Sequence, residues 1–200
     1  MKEAIAHLRR QDPVLSRIID RVGDYRIQFR APGFETLVRS IIFQQLSGRV
    51  ANVIFDRLAK AAGGAITAAA ILKLRPSRMR ALGLSSQKTA YIRDLARHTR
   101  DGVVIFEELA ALDDSTVIEK LTLVKGVGVW TAHMFLIFAL QRADVLPTGD
   151  LGIRNAIRKA YNLKELPTPP EMEELAHRWR PYCSVASWYL WRSLEADPNL

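Results

Sequence analysis

Apolar residues recur along most of the chain at intervals of three and four, the spacing that lines one face of a helix. Val14, Ile18, Ile19 and Val22 share such a face. From Phe34 to about Lys60 the positions Leu37, Val38, Ile41, Ile42, Val50, Ile54 and Leu58 continue the pattern, and Ser47–Gly48 breaks it in two. Tyr25 to Phe29 alternates and predicts a short extended piece, with no second strand to pair with. Gly63–Gly64 reads as a turn, and Thr67 as the cap of a short helix that stops before Pro76. A further helix is predicted from Pro76 to Leu82, ended by Gly83, and another to about Thr99, capped by Ser85 or Ser86. Residues 107–112 and 114–121 predict two short helices, with Asp113 or Asp114 at the start of the second. Helices at Trp130–Gln141, Leu151–Tyr161, Glu171–Arg178 and Ser184–Leu194 close the chain. The expectation is an all-α protein of about ten mostly short helices.

Composition narrows the class. The chain has 200 residues, 48% of them apolar, enough for one compact unit or two small lobes and too many for wholesale disorder. Its single cysteine excludes a disulfide framework and any multi-cysteine zinc or iron–sulfur site. The longest small or apolar run, Ala61 to Leu72, is too short to span a bilayer, and the first residues, MKEAIAHLRRQDP, lack the apolar core of a secretory signal. These features predict a soluble, cytoplasmic protein with no membrane partner.

The formal charge of +8 favours a polyanionic partner. It is unevenly spread. Residues 73–100 hold Lys73, Arg75, Arg78, Arg80, Lys88, Arg93, Arg97 and Arg100 against Asp94, whereas residues 101–119 hold six acids and no base. Two solvated faces explain this as well as one face turned toward phosphates does.

Four segments could carry chemistry. In Lys125-Gly126-Val127-Gly128-Val129-Trp130-Thr131-Ala132, two glycines permit a tight turn whose amides, at the start of the next helix, suit a phosphate, with Lys125 adding charge. Such a hairpin between helices holds DNA backbone without reading sequence. In Leu146-Pro147-Thr148-Gly149-Asp150-Leu151, Asp150 stands at a helix start, where capping is the common use of aspartate. A capping aspartate can also turn an oxygen toward a ligand. Trp179, Tyr182, Trp188, Tyr189 and Trp191 crowd the C-terminal region, as core packing or as walls for a flat cationic ring. Gln44-Gln45-Leu46-Ser47-Gly48-Arg49 puts polar groups and one leucine at a helix break, either an ordinary terminus or a probe for a base stack. Phosphate-loop, dinucleotide, zinc-protease and serine-hydrolase motifs are missing, the four histidines lack ligand spacing, and Cys183 reads as a packed thiol.

The hairpin and the Pro/Gly-Asp loop together resemble the helix-hairpin-helix DNA glycosylase (HhH-GPD) superfamily. Gly-Val-Gly-Val-Trp130-Thr-Ala, Gln44-Gln45-Leu46-Ser47-Gly48, Gly83-Leu84-Ser85 with Lys88-Thr-Ala-Tyr91-Ile, and Arg180-Pro-Tyr182 with Trp188-Tyr-Leu-Trp191-Arg are similar to its alkylation-repair branch, 3-methyladenine DNA glycosylase II. The likeness runs from about residue 30 to 194 and is to the compact form without an N-terminal β domain. It implies a two-lobed helical core, residues 35–145 with the hairpin at 121–132 against residues 1–34 plus 146–200, with the active site in the cleft between the lobes.

That resemblance implies roles. Asp150 would be the catalytic carboxylate. Trp130, Trp191, Tyr182, Met134 and Gln44 would form the base pocket, Met134 standing where the larger bacterial enzyme has a tyrosine. Leu46 would fill the gap left by a flipped nucleotide, with Gln45 and Ser47 in the minor groove; some compact relatives have histidine at Ser47. Arg49, Lys125, Gly126, Val127, Gly128 and Thr131 would complete the DNA contact. The carbonyls of Thr122, Val124 and Val127 would hold a structural Na+ or K+. Trp130 occupies the place of the nucleophilic lysine of the bifunctional relatives, and a four-cysteine iron–sulfur cluster cannot form. The implied activity is a cofactor-independent, monofunctional hydrolase acting as a monomer on double-stranded DNA with alkylated bases, in the bacterial nucleoid or the eukaryotic nucleus. A non-catalytic DNA-binding module and a bifunctional glycosylase/lyase are the alternatives.

Overall fold

The computed structural model describes residues 1–195, and among these it is helical throughout, with no strand. In chain order the helices are α1 (Lys2–Gln11), α2 (Pro13–Val22), α3 (Phe34–Phe43), α4 (Gly48–Ala61), α5 (Ala68–Lys73), α6 (Pro76–Ala81), α7 (Ser86–Arg100), α8 (Asp114–Thr122), α9 (Val129–Phe138), α10 (Leu151–Ala160), α11 (Pro169–Ala176) and α12 (Cys183–Glu195). A 3-10 turn at Leu109–Ala111 stands where a helix over 107–112 was expected. No helix among the described residues is long and apolar enough to cross a membrane.

Among the described residues twelve helices exceed the expected ten, partly because of α1, whose apolar stripe is short, only Ala4, Ile5 and Leu8. Tyr25 to Phe29 is not a strand. Tyr25 leaves any alternation to place its ring 4.7 Å from that of Trp188. Val50 is 47% exposed, although it fits the spacing read across the break, because α4 turns Ala51, Ile54 and Leu58 inward. One helical step of 100° carries Val50 off that face.

The chain forms two compact units, Met1–Phe29 with the chain from Leu136 onward, and Arg30–Phe135. The expected boundaries of 34/35 and 145/146 lie five and ten residues further along, and the last five residues of that expected lobe fall outside those described. In the unit containing both ends, α2 and α10 pack on α12, and α1 packs on α2. Leu8, Leu15, Ile153, Ile157, Trp179 and Tyr189 are its core. A fully buried carboxylate organises it. Asp12 Oδ1 accepts the amides of Val14 (2.9 Å) and Leu15 (3.1 Å), capping α2, while Oδ2 accepts the Tyr161 hydroxyl and Trp179 Nε1 (2.9 Å). Four donors satisfy the two oxygens of this buried side chain.

In the unit Arg30–Phe135, α7 is the central helix, with α3, α5 and α6 packed on it. Ile92, Leu95 and Ala96 of α7 meet a core that includes Leu37, Ile41, Ile71 and Met79. Ser85 Oγ accepts the Lys88 amide at 3.1 Å and Thr67 Oγ1 that of Ala70 at 3.2 Å, so both expected caps form. Cys183, in the other unit, is fully buried, and burial pushes its thiol pKa well above the ordinary value.

Candidate functional site

The loop before α10 is built from backbone turns. The Thr148 amide donates to Leu146 O (3.0 Å) and the Asp150 amide to Pro147 O (2.9 Å). Ser184, in the first turn of α12, ties down the approach: its Oγ accepts the Val145 amide at 3.0 Å and donates to Arg142 O at 2.6 Å. Asp150 emerges as the cap of α10, with Oδ1 accepting the Ile153 amide at 2.8 Å. The same oxygen accepts Trp191 Nε1 at 2.9 Å. The capping reading and the placing of a carboxylate beside an aromatic ring therefore hold together, and Asp150 is 7% exposed. Trp191 is itself fixed, stacked on Phe138 with centroids 5.8 Å apart. Gly152 leaves them room: a Cβ there would stand 3.0 Å from Asp150 Oδ1 and 3.3 Å from Trp191 Cδ1. Tyr182, also expected beside the base, meets the His7 ring edge-on at 5.3 Å.

The other expected residues lie in the unit Arg30–Phe135. Between α8 and α9 the chain makes the expected hairpin, with the Val124 amide on Leu121 O (3.2 Å) and the Val127 amide on Val124 O (3.0 Å). Val124, Val127 and Thr131 are buried, whereas Lys125, Gly126, Gly128 and Trp130 are exposed, Trp130 by 44%. Met134 is half-buried on α9. Of the two glycines, Gly126 is the one the fold requires. Its φ is +81°, and a Cβ there would overlap the Tyr91 ring.

Asp94 anchors this turn, and sequence reasoning assigned it nothing. Its Oδ2 accepts the Lys125 amide at 3.0 Å and its Oδ1 accepts Arg97 Nη2 at 3.2 Å. Burial pushes its pKa up, but the Lys125 amide, Arg97 and His98 together outweigh burial and hold it below the ordinary carboxylate value. The available signal was a lone acid in a basic block. That block is also not one phosphate-facing surface: Arg93 Nη1 donates to Leu74 O at 2.6 Å, Arg97 pairs with Asp94, and Lys88 turns inward.

Between α3 and α4, Gln44 to Ser47 form a short loop whose tip is unusual. Gln45 has φ +56° without being glycine, and Leu46 is 37% exposed. Lys88 Nζ donates to the carbonyls of Ile42 and Gln44, both at 2.6 Å. Gln44 Nε2 donates to Gly126 O at 3.0 Å and so joins this loop to the hairpin. Gln45, Leu46, Ser47 and Arg49 all lie exposed beside one another. No group of three or more His, Cys, Asp or Glu side chains is placed to hold a metal ion among the described residues.

Comparison with known proteins adds independent findings. The model of the HhH-GPD superfamily of base excision DNA repair proteins matches residues 38–181. DNA-3-methyladenine glycosylase 1 of Schizosaccharomyces pombe is 34% identical over 200 residues, spanning 96% of this chain and 87% of its own length. Among solved structures, the 3-methyladenine DNA glycosylase of that yeast in complex with abasic DNA aligns with a TM-score of 0.83 at 35% identity, over 94% of this chain and 95% of the other. A DNA-3-methyladenine glycosidase from Bacillus halodurans aligns with a TM-score of 0.87 at 34% identity, over 98% and 90%.

Proposed function

The chain belongs to the HhH-GPD superfamily of base excision DNA repair proteins, and from that premise we propose that it is a monofunctional DNA glycosylase that hydrolyses the bond between an alkylated purine and deoxyribose. The observation that carries this reading is the carboxylate of Asp150, fixed through Oδ1 by the Ile153 amide and the Trp191 indole. Its relatives named for 3-methyladenine supply the substrate class.

The chemistry suits that apparatus. An alkylated purine that bears a formal positive charge leaves without a strong general acid. Departure puts positive charge on the sugar, and a preoriented carboxylate stabilises it without reorganising in the transition state. The same carboxylate can orient the attacking water. Trp191 and the Ile153 amide hold Asp150 in place, and Trp191 with Trp130, Met134 and Tyr182 contributes to selecting the base. Trp130 carries no amine, so no Schiff base forms at its position and the product is an intact strand with an abasic site.

A base stacked in duplex DNA must first leave the helix, at a cost of a few kcal/mol. Leu46 fills the vacated space, with Gln45 and Ser47 in the minor groove, and Arg49 contacts phosphate. At the hairpin the amides of the exposed Gly126 and Gly128, with Lys125, take the backbone, whereas the Val127 amide is held by Val124 O and Thr131 is buried. Carbonyl oxygens suit Na+ or K+, and a carbonyl that accepts one hydrogen bond keeps a second lone pair. The carbonyls of Thr122, Val124 and Val127 would hold such an ion, which would supply charge toward a phosphate. The enzyme works as a monomer, where the chromosome lies, and its substrate range within alkylated purines follows from the pocket residues.

The test is incubation with a duplex carrying one 7-methylguanine. Release of the base, with strand breaks only after alkali, is expected. Breaks without alkali would identify a lyase, and no release at enzyme excess would leave a DNA-binding module.

A further inference from the structure

The basic block between residues 73 and 100 contains a lysine that no phosphate-binding role accounts for. Lys88 is half-buried, and two of its three ammonium donors go to the carbonyls of Ile42 and Gln44, at 2.6 Å each. Those carbonyls lie at the C-terminal end of α3, where helix geometry leaves acceptors without intrahelical partners. The chain beyond them enters a left-handed conformation at Gln45, φ +56°, which persists only where neighbouring contacts impose it. The next residue is Leu46.

Further along the same helix, Tyr91 and Asp94 act on the hairpin. Positions 88, 91 and 94 follow one another at the i, i+3 spacing, so they form a row along one side of α7. Tyr91 packs its ring where a Gly126 Cβ would be, and Asp94 accepts the Lys125 amide. The helix rises about 9 Å between Lys88 and Asp94. The bond from Gln44 Nε2 to Gly126 O closes the circuit.

We propose that Lys88 is the positioning residue of the Gln44–Ser47 loop, and that the Lys88–Tyr91–Asp94 side of α7 sets that loop at a fixed spacing from the hairpin. The hairpin grips the backbone while Leu46 enters the base stack, so their spacing decides whether a gripped duplex is also wedged. This rests on the reading of Leu46 as the wedge. Even partial burial of a charge costs desolvation that an apolar side chain at the same place would not incur. Its use here is directional: charge-assisted bonds to two named carbonyls, which fix the backbone just before the strained residue. Partial burial also pulls the Lys88 pKa below the usual lysine value.

The wedge has work to do only where a base must leave a duplex, and this separates positioning from general stability. The experiment measures single-turnover release of 7-methylguanine from a duplex and from the same strand unpaired, with wild type, Lys88→Met, Leu46→Ala and the double variant. Losing both charge-assisted bonds should slow duplex release by about ten-fold or more in Lys88→Met. Single-strand release should stay near wild type, and the double variant should be no slower than the slower single one. Lys88→Arg, which keeps donors in reach, should recover part of the duplex rate; if Lys88→Met does not fold, Lys88→Arg set against Leu46→Ala carries the comparison. Equal losses on duplex and single strand, additive losses in the double variant, or an unchanged duplex rate would each overturn the proposal. Absence of release by wild type from either substrate would overturn the functional reading itself.

Discussion

At the scale of single residues, two aspartates show how one side chain serves the backbone and something beyond it. Asp150 caps α10 and presents a carboxylate beside Trp191. Asp94 leaves its own helix to hold the Lys125 amide in the hairpin. The first was legible in sequence because a Pro/Gly loop before an aspartate is a local signal. Asp94 and Lys88 were not, because their partners are main-chain atoms from distant segments, and residue type says nothing about which carbonyl a fold brings near. Asp94 yields a pH prediction. Its folded pKa is depressed, so its stabilising contribution is full above the unfolded value near 4 and is lost as pH falls through the folded pKa. Asp94→Asn should lower the urea midpoint at pH 7, and its gap from wild type should narrow toward pH 3. A gap that widens in acid would contradict this account of the hairpin anchor.

At the scale of elements, most helices were legible from apolar spacing and caps, and the failures have physical causes. α1 has too few buried residues to show a period, and Tyr25–Phe29 alternates without a strand because aromatic packing on α12 sets its course. The GxG turn was also legible, but the two glycines read as equals. The fold separates them. Gly126→Ala meets both a positive φ, costing about 1–2 kcal/mol, and the Tyr91 ring, whereas a Cβ on Gly128 meets nothing within 4 Å. Gly126→Ala should therefore lower Tm and weaken duplex binding at least several-fold, and Gly128→Ala should leave Tm near wild type. Equal Tm losses in the two variants would show that the turn is not built around Tyr91.

At the scale of the whole molecule, the net charge of +8 overstates the cations left to meet phosphate. Lys88, Arg93 and Arg97 are spent on carbonyls and on Asp94, so the densest basic block in the sequence contributes less to phosphate binding than its count implies. Lys125 lies exposed on the hairpin. Binding to an undamaged duplex should weaken with salt, and Lys125→Ala should reduce the slope of log K against log salt by about 1, with Lys88→Met leaving it unchanged. Family membership was legible from a few short strings, because a hairpin, an aspartate loop and an aromatic cluster seldom occur together. The internal wiring from α7 was not, since no single string contains it.

On the proposed reading, the Asp150 carboxylate drives base release and the strand is left intact. Asparagine keeps the cap of α10 and nearly the same volume but removes the charge. The most direct measurement compares wild type with Asp150→Asn for single-turnover release of 7-methylguanine from a duplex, alongside binding of the same duplex. Release slowed by about 10²- to 10⁴-fold with binding retained is expected, with strand breaks by wild type only after alkali. An Asp150→Asn variant that releases the base at the wild-type rate would contradict that reading.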